Sequence, residues 1–66
     1  MPTDREVIIA MEIYGGSFVQ ALAVAARCAD EHNLAILKGA WPGYWREYTN
    51  IAMLRARNMA TNKGEA

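Results

Sequence analysis

The residues best equipped for chemistry fall in one stretch, Trp41-Pro42-Gly43-Tyr44-Trp45-Arg46-Glu47-Tyr48, which holds four of the chain's six aromatic side chains. Tyr44, Trp45 and Tyr48 are spaced i, i+1 and i+4 at an expected helix start, with Arg46 among them. Flat rings beside a guanidinium suit stacking on a nucleobase and pairing with a phosphate. Tryptophan, tyrosine and arginine also dominate the hot spots of protein–protein contacts. A third reading has Trp41, Trp45 and Tyr48 plugging the core of a very small domain, with their polar tips hydrogen-bonded. Tyr44 and Arg46 are the members that a core needs least, so they lead the candidates for ligand contact. Trp45 joins them as a stacking surface, and Lys38 and Arg55 are candidates to assist with an anion. Arg55 follows Tyr48 by seven residues and Ile51 by four, so it leans toward the apolar side of its helix.

A catalytic centre is harder to assemble. Cys28 and His32 are four apart, but they face each other across one helical turn only if the helix continues through Asp30. A nucleophilic dyad also needs an orienting third group and an oxyanion site, and nothing specifies either. Asp30 and Glu31 are explained by helix capping and solvation. One histidine and one cysteine fall short of the four ligands of a structural zinc site. The expectation is a protein without catalytic residues, metal or cofactor.

Sixty-six residues make one domain, and 53% of them are hydrophobic against 21% charged, which excludes intrinsic disorder. A chain this short buries only about 60% of its unfolded surface. The usual supplements are disulfides, metal or oligomerisation. A single cysteine closes no internal disulfide, and with no zinc set present, oligomerisation is left. Net charge is zero, which gives no general pull toward nucleic acid or membrane. With no recognition-helix pattern, DNA binding is not expected. The halves differ: residues 1–31 carry two basic and five acidic side chains, net −3, and residues 32–66 carry five and two, net +3. That asymmetry fits complementary surfaces within or between subunits, or a local basic site for an anionic ligand. The first residues lack the basic and apolar regions of a signal peptide. No apolar run approaches the ~18 residues of a membrane span. A cytoplasmic location is the expectation, with one free thiol in keeping.

These groups must be positioned by helices. Thr3-Asp4-Arg5-Glu6 reads as a capping box opening a first helix over Asp4 to Tyr14. That helix is apolar nearly all round, which calls for burial on two sides, the second most simply by another subunit. Gly15-Gly16 closes it, the glycines being expected to supply a left-handed backbone, or else the two helices form one kinked rod. Ser17 is expected to cap a second helix, Phe18 to Ala29, with Gln20 reciprocating, and with Phe18, Leu22, Ala25 and Ala29 as its stripe, widened by Val19, Ala23 and Ala26. Asp30 can cap a third helix, Glu31 to Ala40. Pro42 suits the first turn of a fourth, Pro42 to Met59. The polar end, residues 61–66, is expected to be disordered beyond a domain of residues 1–60. The fold class is therefore all-α, a small homo-oligomeric bundle of three to four short helices.

The order Tyr14-Gly15-Gly16-Ser17-Phe18, Ala29-Asp30-Glu31-His32-Asn33 and the Trp41–Tyr48 stretch resembles small accessory proteins of tailed bacteriophages and prophages. The likeness covers about residues 5–50, and its motifs are structural punctuation. It implies a viral protein working in a bacterial host cytoplasm. There it would counter host defence by soaking up a nucleotide immune signal, a cyclic nucleotide or an ADP-ribose-type ligand, in a pocket between subunits. Alternatively it would occlude a host defence or regulatory enzyme, or serve as a structural or assembly accessory.

Overall fold

The computed structural model describes the backbone of residues 1–65 and the side chains of residues 1–58. Four helices follow one another: α1 Asp4–Tyr14, α2 Ser17–Cys28, α3 Glu31–Ala40 and α4 Pro42–Glu65. No strand occurs among the described residues. α4 ends at Glu65, past the Met59 expected to close it, and the side chains of residues 59–66, which include the expected polar tail, lie outside those described.

Local chemistry sets the helix starts. The Thr3 hydroxyl accepts from the Glu6 N–H at 3.2 Å, and Glu6 Oε1 accepts from the Thr3 N–H at 2.9 Å, completing the capping box. Asp30 Oδ1 accepts from the Asn33 N–H at 2.8 Å and opens α3. At α2 the capping residue is Gly16, not Ser17, and it offers no side chain; Gln20 Nε2 instead donates to the Gly15 carbonyl at 3.0 Å. Trp41 leaves the helical region at φ −129°, ψ 63°, as the following proline requires, and α4 begins at once with Pro42.

The α1–α2 corner departs from the expected geometry. Gly15 is extended (φ −80°, ψ 155°), and no glycine among the described residues has positive φ. Handedness is therefore not why glycine stands there. A Cβ on Gly15 would come within 2.5 Å of the Met11 carbonyl oxygen and within 2.5 Å of Val19 Cγ1. Glycine is needed for space, because α2 turns back directly over the end of α1.

That corner also selects the buried face of α2. Val19, Leu22, Ala23 and Ala26 face the core, while Phe18 is 52% exposed and Ala25 is exposed. Of the expected Phe18–Leu22–Ala25–Ala29 stripe Leu22 is buried, and the residues expected to widen it, Val19, Ala23 and Ala26, make the rest of the buried face. On so apolar a helix both stripes fit the period, and the turn over Gly15 decides between them.

α1 lies at the centre, packed against α2 on one side and α4 on the other, with α3 resting lightly on α2 and α4. Val7, Ile8, Ala10 and Met11 of α1 are buried, joined by Tyr48 and Ala52 of α4. The second apolar side of α1 is accordingly covered by α4 of the same chain, not by a second subunit. α3 contributes no fully buried residue; Leu34 and Leu37 are half-buried against the core. Among the described residues, only Met11 and Val7 are large side chains wholly out of water, and four of the ten core positions are alanine. A core this thin leaves much of the chain's apolar surface in solvent. No helix among the described residues is long and apolar enough to cross a membrane.

Candidate functional site

The Trp41–Tyr48 stretch straddles the α3–α4 corner, and its side chains go to different places. Tyr48 is buried in the core. Burial pushes its phenol up from the usual value, and Glu47 and Tyr44 add to the shift. Trp45 is half-buried against the core. Lys38 Nζ lies 5.3 Å from the centre of its ring and 3.0 Å from Asp4 Oδ1. One ammonium thus joins α3 to both α4 and α1.

Trp41 and Tyr44 turn outward and meet Phe18 from the start of α2. The Phe18 and Trp41 ring centres are 5.8 Å apart with planes at 70°, edge to face; Phe18 and Tyr44 are 5.9 Å apart at 52°. Such pairs add about 0.5–1.5 kcal/mol beyond their area burial. All three rings nevertheless remain open, at 52%, 40% and 36% exposure for Phe18, Trp41 and Tyr44. Phe18 is the member that the sequence reading missed as a surface residue. Its signal was its place two residues after the glycine pair, at the first turn of a helix whose opposite side could supply the core.

The remaining candidates do not converge on this cluster. Helical residues are ~100° apart, so Arg46 sits about 200° around α4 from Tyr44. Arg46 is exposed on the side away from Tyr48 and Ala52. Arg55 is half-buried and lines a small cleft with Glu6, Ala52 and Ala56. Its charge helps to hold the Glu6 carboxyl below the usual carboxylate value, after the larger effect of the hydrogen bonds from Thr3. A shallow hollow on the Trp41–Tyr44 surface, about 410 Å³, has Glu47 in its lining. A carboxylate there opposes phosphate. Within one chain, then, the Phe18–Trp41–Tyr44 rings are separate from the Arg46 and Arg55 guanidiniums, and Lys38 meets Trp45 instead.

Cys28 and His32 are both exposed, and the extended backbone of Ala29 (ψ 142°) and Asp30 (ψ 177°) breaks the helix between them. They do not share one continuous helical turn. Among the described residues no three of His, Cys, Asp and Glu are grouped so as to hold a metal ion.

Beyond the three clustered rings, large apolar side chains stand in solvent on every helix: Ile13 and Tyr14 on α1, Val24 on α2, Ile36 on α3, Met53 and Leu54 on α4. On α2, Ala21, Val24, Ala25 and Cys28 form a face opposite the core with no charged member. No family model, curated protein or solved structure matches the chain.

Proposed function

We propose that the chain is a non-enzymatic, self-associating helical binding protein that works by protein contact through its aromatic corner. The observation that carries this is the Phe18–Trp41–Tyr44 cluster, packed ring to ring yet more than one-third exposed at every member. Aromatic side chains held rigid by one another offer contact area at little entropic cost, which is the character of an interface hot spot. The resemblance to phage accessory proteins makes a bacterial protein the natural partner, occluded by a surface that needs no catalytic group. The uncharged outer face of α2 and the thin core favour association of copies, since a helix apolar on all sides is stable only when covered.

Affinity capture from bacterial lysate, with the wild type beside Trp41→Ala and Tyr44→Ala, tests the reading. The expected result is one stoichiometric protein retained by the wild type and lost in both variants. Retention by the variants, or no stoichiometric partner, removes it.

One observation favours a second reading, sequestration of a nucleotide signal between subunits. Arg46 is exposed on the side of α4 away from the rings, so it is available to another copy's aromatic corner. Tyr44 and Trp45 would then flank a base while the partner's guanidinium takes phosphate, with Lys38 and Arg55 at the margin. A ligand bound only to the folded state raises the melting temperature by mass action. Thermal shift against cyclic dinucleotides, cyclic trinucleotides and ADP-ribose derivatives distinguishes the two. A shift that Arg46→Ala abolishes supports sequestration, and no shift across the panel rejects it.

A further inference from the structure

A separate cleft of about 520 Å³ opens between α1, the end of α2 and α3, and shares no residue with the aromatic corner. Its volume falls within the range of small-molecule sites, roughly 300–1,000 Å³. Ile8, Ile9, Ala26 and Leu34 make an aliphatic lining without a polar side chain. Four charged residues, Asp4, Arg5, Glu12 and Arg27, complete it. Two of these are neutralised by each other, since Arg27 is ion-paired with Glu12. Asp4 is committed to Lys38 at 3.0 Å. Arg5 makes no ion pair among the described residues, so one positive charge is left at the edge of an aliphatic hollow.

We propose that this cleft binds a small amphipathic monoanion, an aliphatic body over Ile8, Ile9 and Leu34 with its anionic head on the Arg5 guanidinium. The charge arrangement selects the class. A cationic head would meet Arg5 with both carboxylates already paired. A neutral aliphatic would leave the guanidinium unused. A dianion would exceed the one uncommitted charge.

Sodium decanoate, decanol and decyltrimethylammonium, each below its micellar concentration, are the probes, titrated into the full chain by calorimetry and by methyl NMR. Decanoate is expected to bind saturably and to shift the methyls of Ile8, Ile9 and Leu34. Shortening it to octanoate weakens binding by up to about fourfold for each methylene withdrawn from the lining. Arg5→Gln should weaken decanoate about tenfold while leaving decanol unchanged, since it removes a charge-assisted pair only. Arg5→Glu adds a carboxylate to the first turn of α1, where the helix dipole welcomes it, so folding is not at risk. That variant should reject decanoate and accept decyltrimethylammonium. Absence of saturable decanoate binding would overturn the proposal. So would equal affinity of the wild type for the cationic probe, an unchanged preference in Arg5→Glu, or methyl shifts confined to Leu54 and Val24.

Discussion

Lys38 caps the half-buried ring of Trp45, with its ammonium 5.3 Å from the ring centre while Asp4 holds it from the other side. A cation over an indole at a partly exposed site contributes about 0.5–1 kcal/mol. The surface ion pair to Asp4 adds about 0–1 kcal/mol. These two contacts add to the half-buried Leu34 and Leu37 in fastening α3. Lys38→Met keeps the aliphatic stem and removes the charge. It should lower unfolding free energy by about 1 kcal/mol in urea titration and change the tryptophan emission. Asp4→Asn should cost less and leave the emission as it is.

Gly15 and Gly16 are adjacent and have different duties. A Cβ on Gly15 meets the Met11 carbonyl oxygen, a backbone atom that cannot step aside, whereas one on Gly16 meets nothing within 4 Å. Gly15→Ala should therefore cost about 1–3 kcal/mol through overpacking at the α1–α2 corner. Gly16→Ser places a hydroxyl at a helix cap that now has no side-chain bond, and should stabilise by a few tenths of a kcal/mol. Thermal melts of the two variants with the wild type read both signs in one experiment.

Helix positions were legible because their punctuation is local. Thr3 with Glu6, Asp30 with Asn33, and Trp41 before Pro42 each fix a boundary from a few neighbouring residues. The face that each helix buries was less legible, because it depends on what lies across the gap. α2 offers two apolar stripes of the same period, and only the contact of Gly15 with Val19 chooses between them. For the same reason the covering of α1 by α4 could not be told from covering by another subunit. In the aromatic stretch, residue types were readable but their directions were not. Consecutive helical residues diverge by ~100°, so Tyr44, Trp45 and Arg46 point to different sides of α4. Phe18 reaches that corner through tertiary packing, which spacing along the sequence does not show.

The two resolved titrations act at opposite ends of the pH range. Glu6 has its pKa lowered by hydrogen bonds from Thr3 to its carboxylate, so the folded state binds its proton less readily than the unfolded chain does. Its contribution is present above the ordinary value of 4.5 and is lost as pH falls through the lowered folded value. Tyr48 has its pKa raised by burial, so its contribution is complete below the ordinary value of 10.0 and fades as pH rises through the higher folded one. Urea midpoints measured across pH should fall at both ends. Thr3→Ala removes the hydroxyl cap and costs about 0.5–2 kcal/mol at neutral pH. It keeps the Thr3 N–H that bonds the carboxylate, so the acid limb becomes only shallower; Glu6→Gln flattens it. Tyr48→Phe flattens the alkaline limb alone.

The proposed self-association is tested at the outer face of α2. Val24 is 53% exposed there, beside Ala21, Ala25 and Cys28, all of them exposed. In a lone chain, replacing Val24 by glutamate touches no buried contact and should leave the melting temperature within about 4 °C, since surface changes of this kind stay within about 0.5 kcal/mol. Between two copies the same carboxylate would be carried out of water without a partner, which costs far more. Sedimentation equilibrium from micromolar to millimolar concentration should show the wild type associating. Val24→Glu should have its dissociation constant raised at least about tenfold, or about 1.4 kcal/mol. The Phe18–Trp41–Tyr44 corner lies on neighbouring elements, so Trp41→Ala serves as the comparison. If Trp41→Ala dissociates the oligomer and Val24→Glu does not, the copies meet through their rings, and that surface is then spoken for by self-contact. If Val24→Glu alone dissociates it, the rings stay open for a different partner, as the proposed binding role requires.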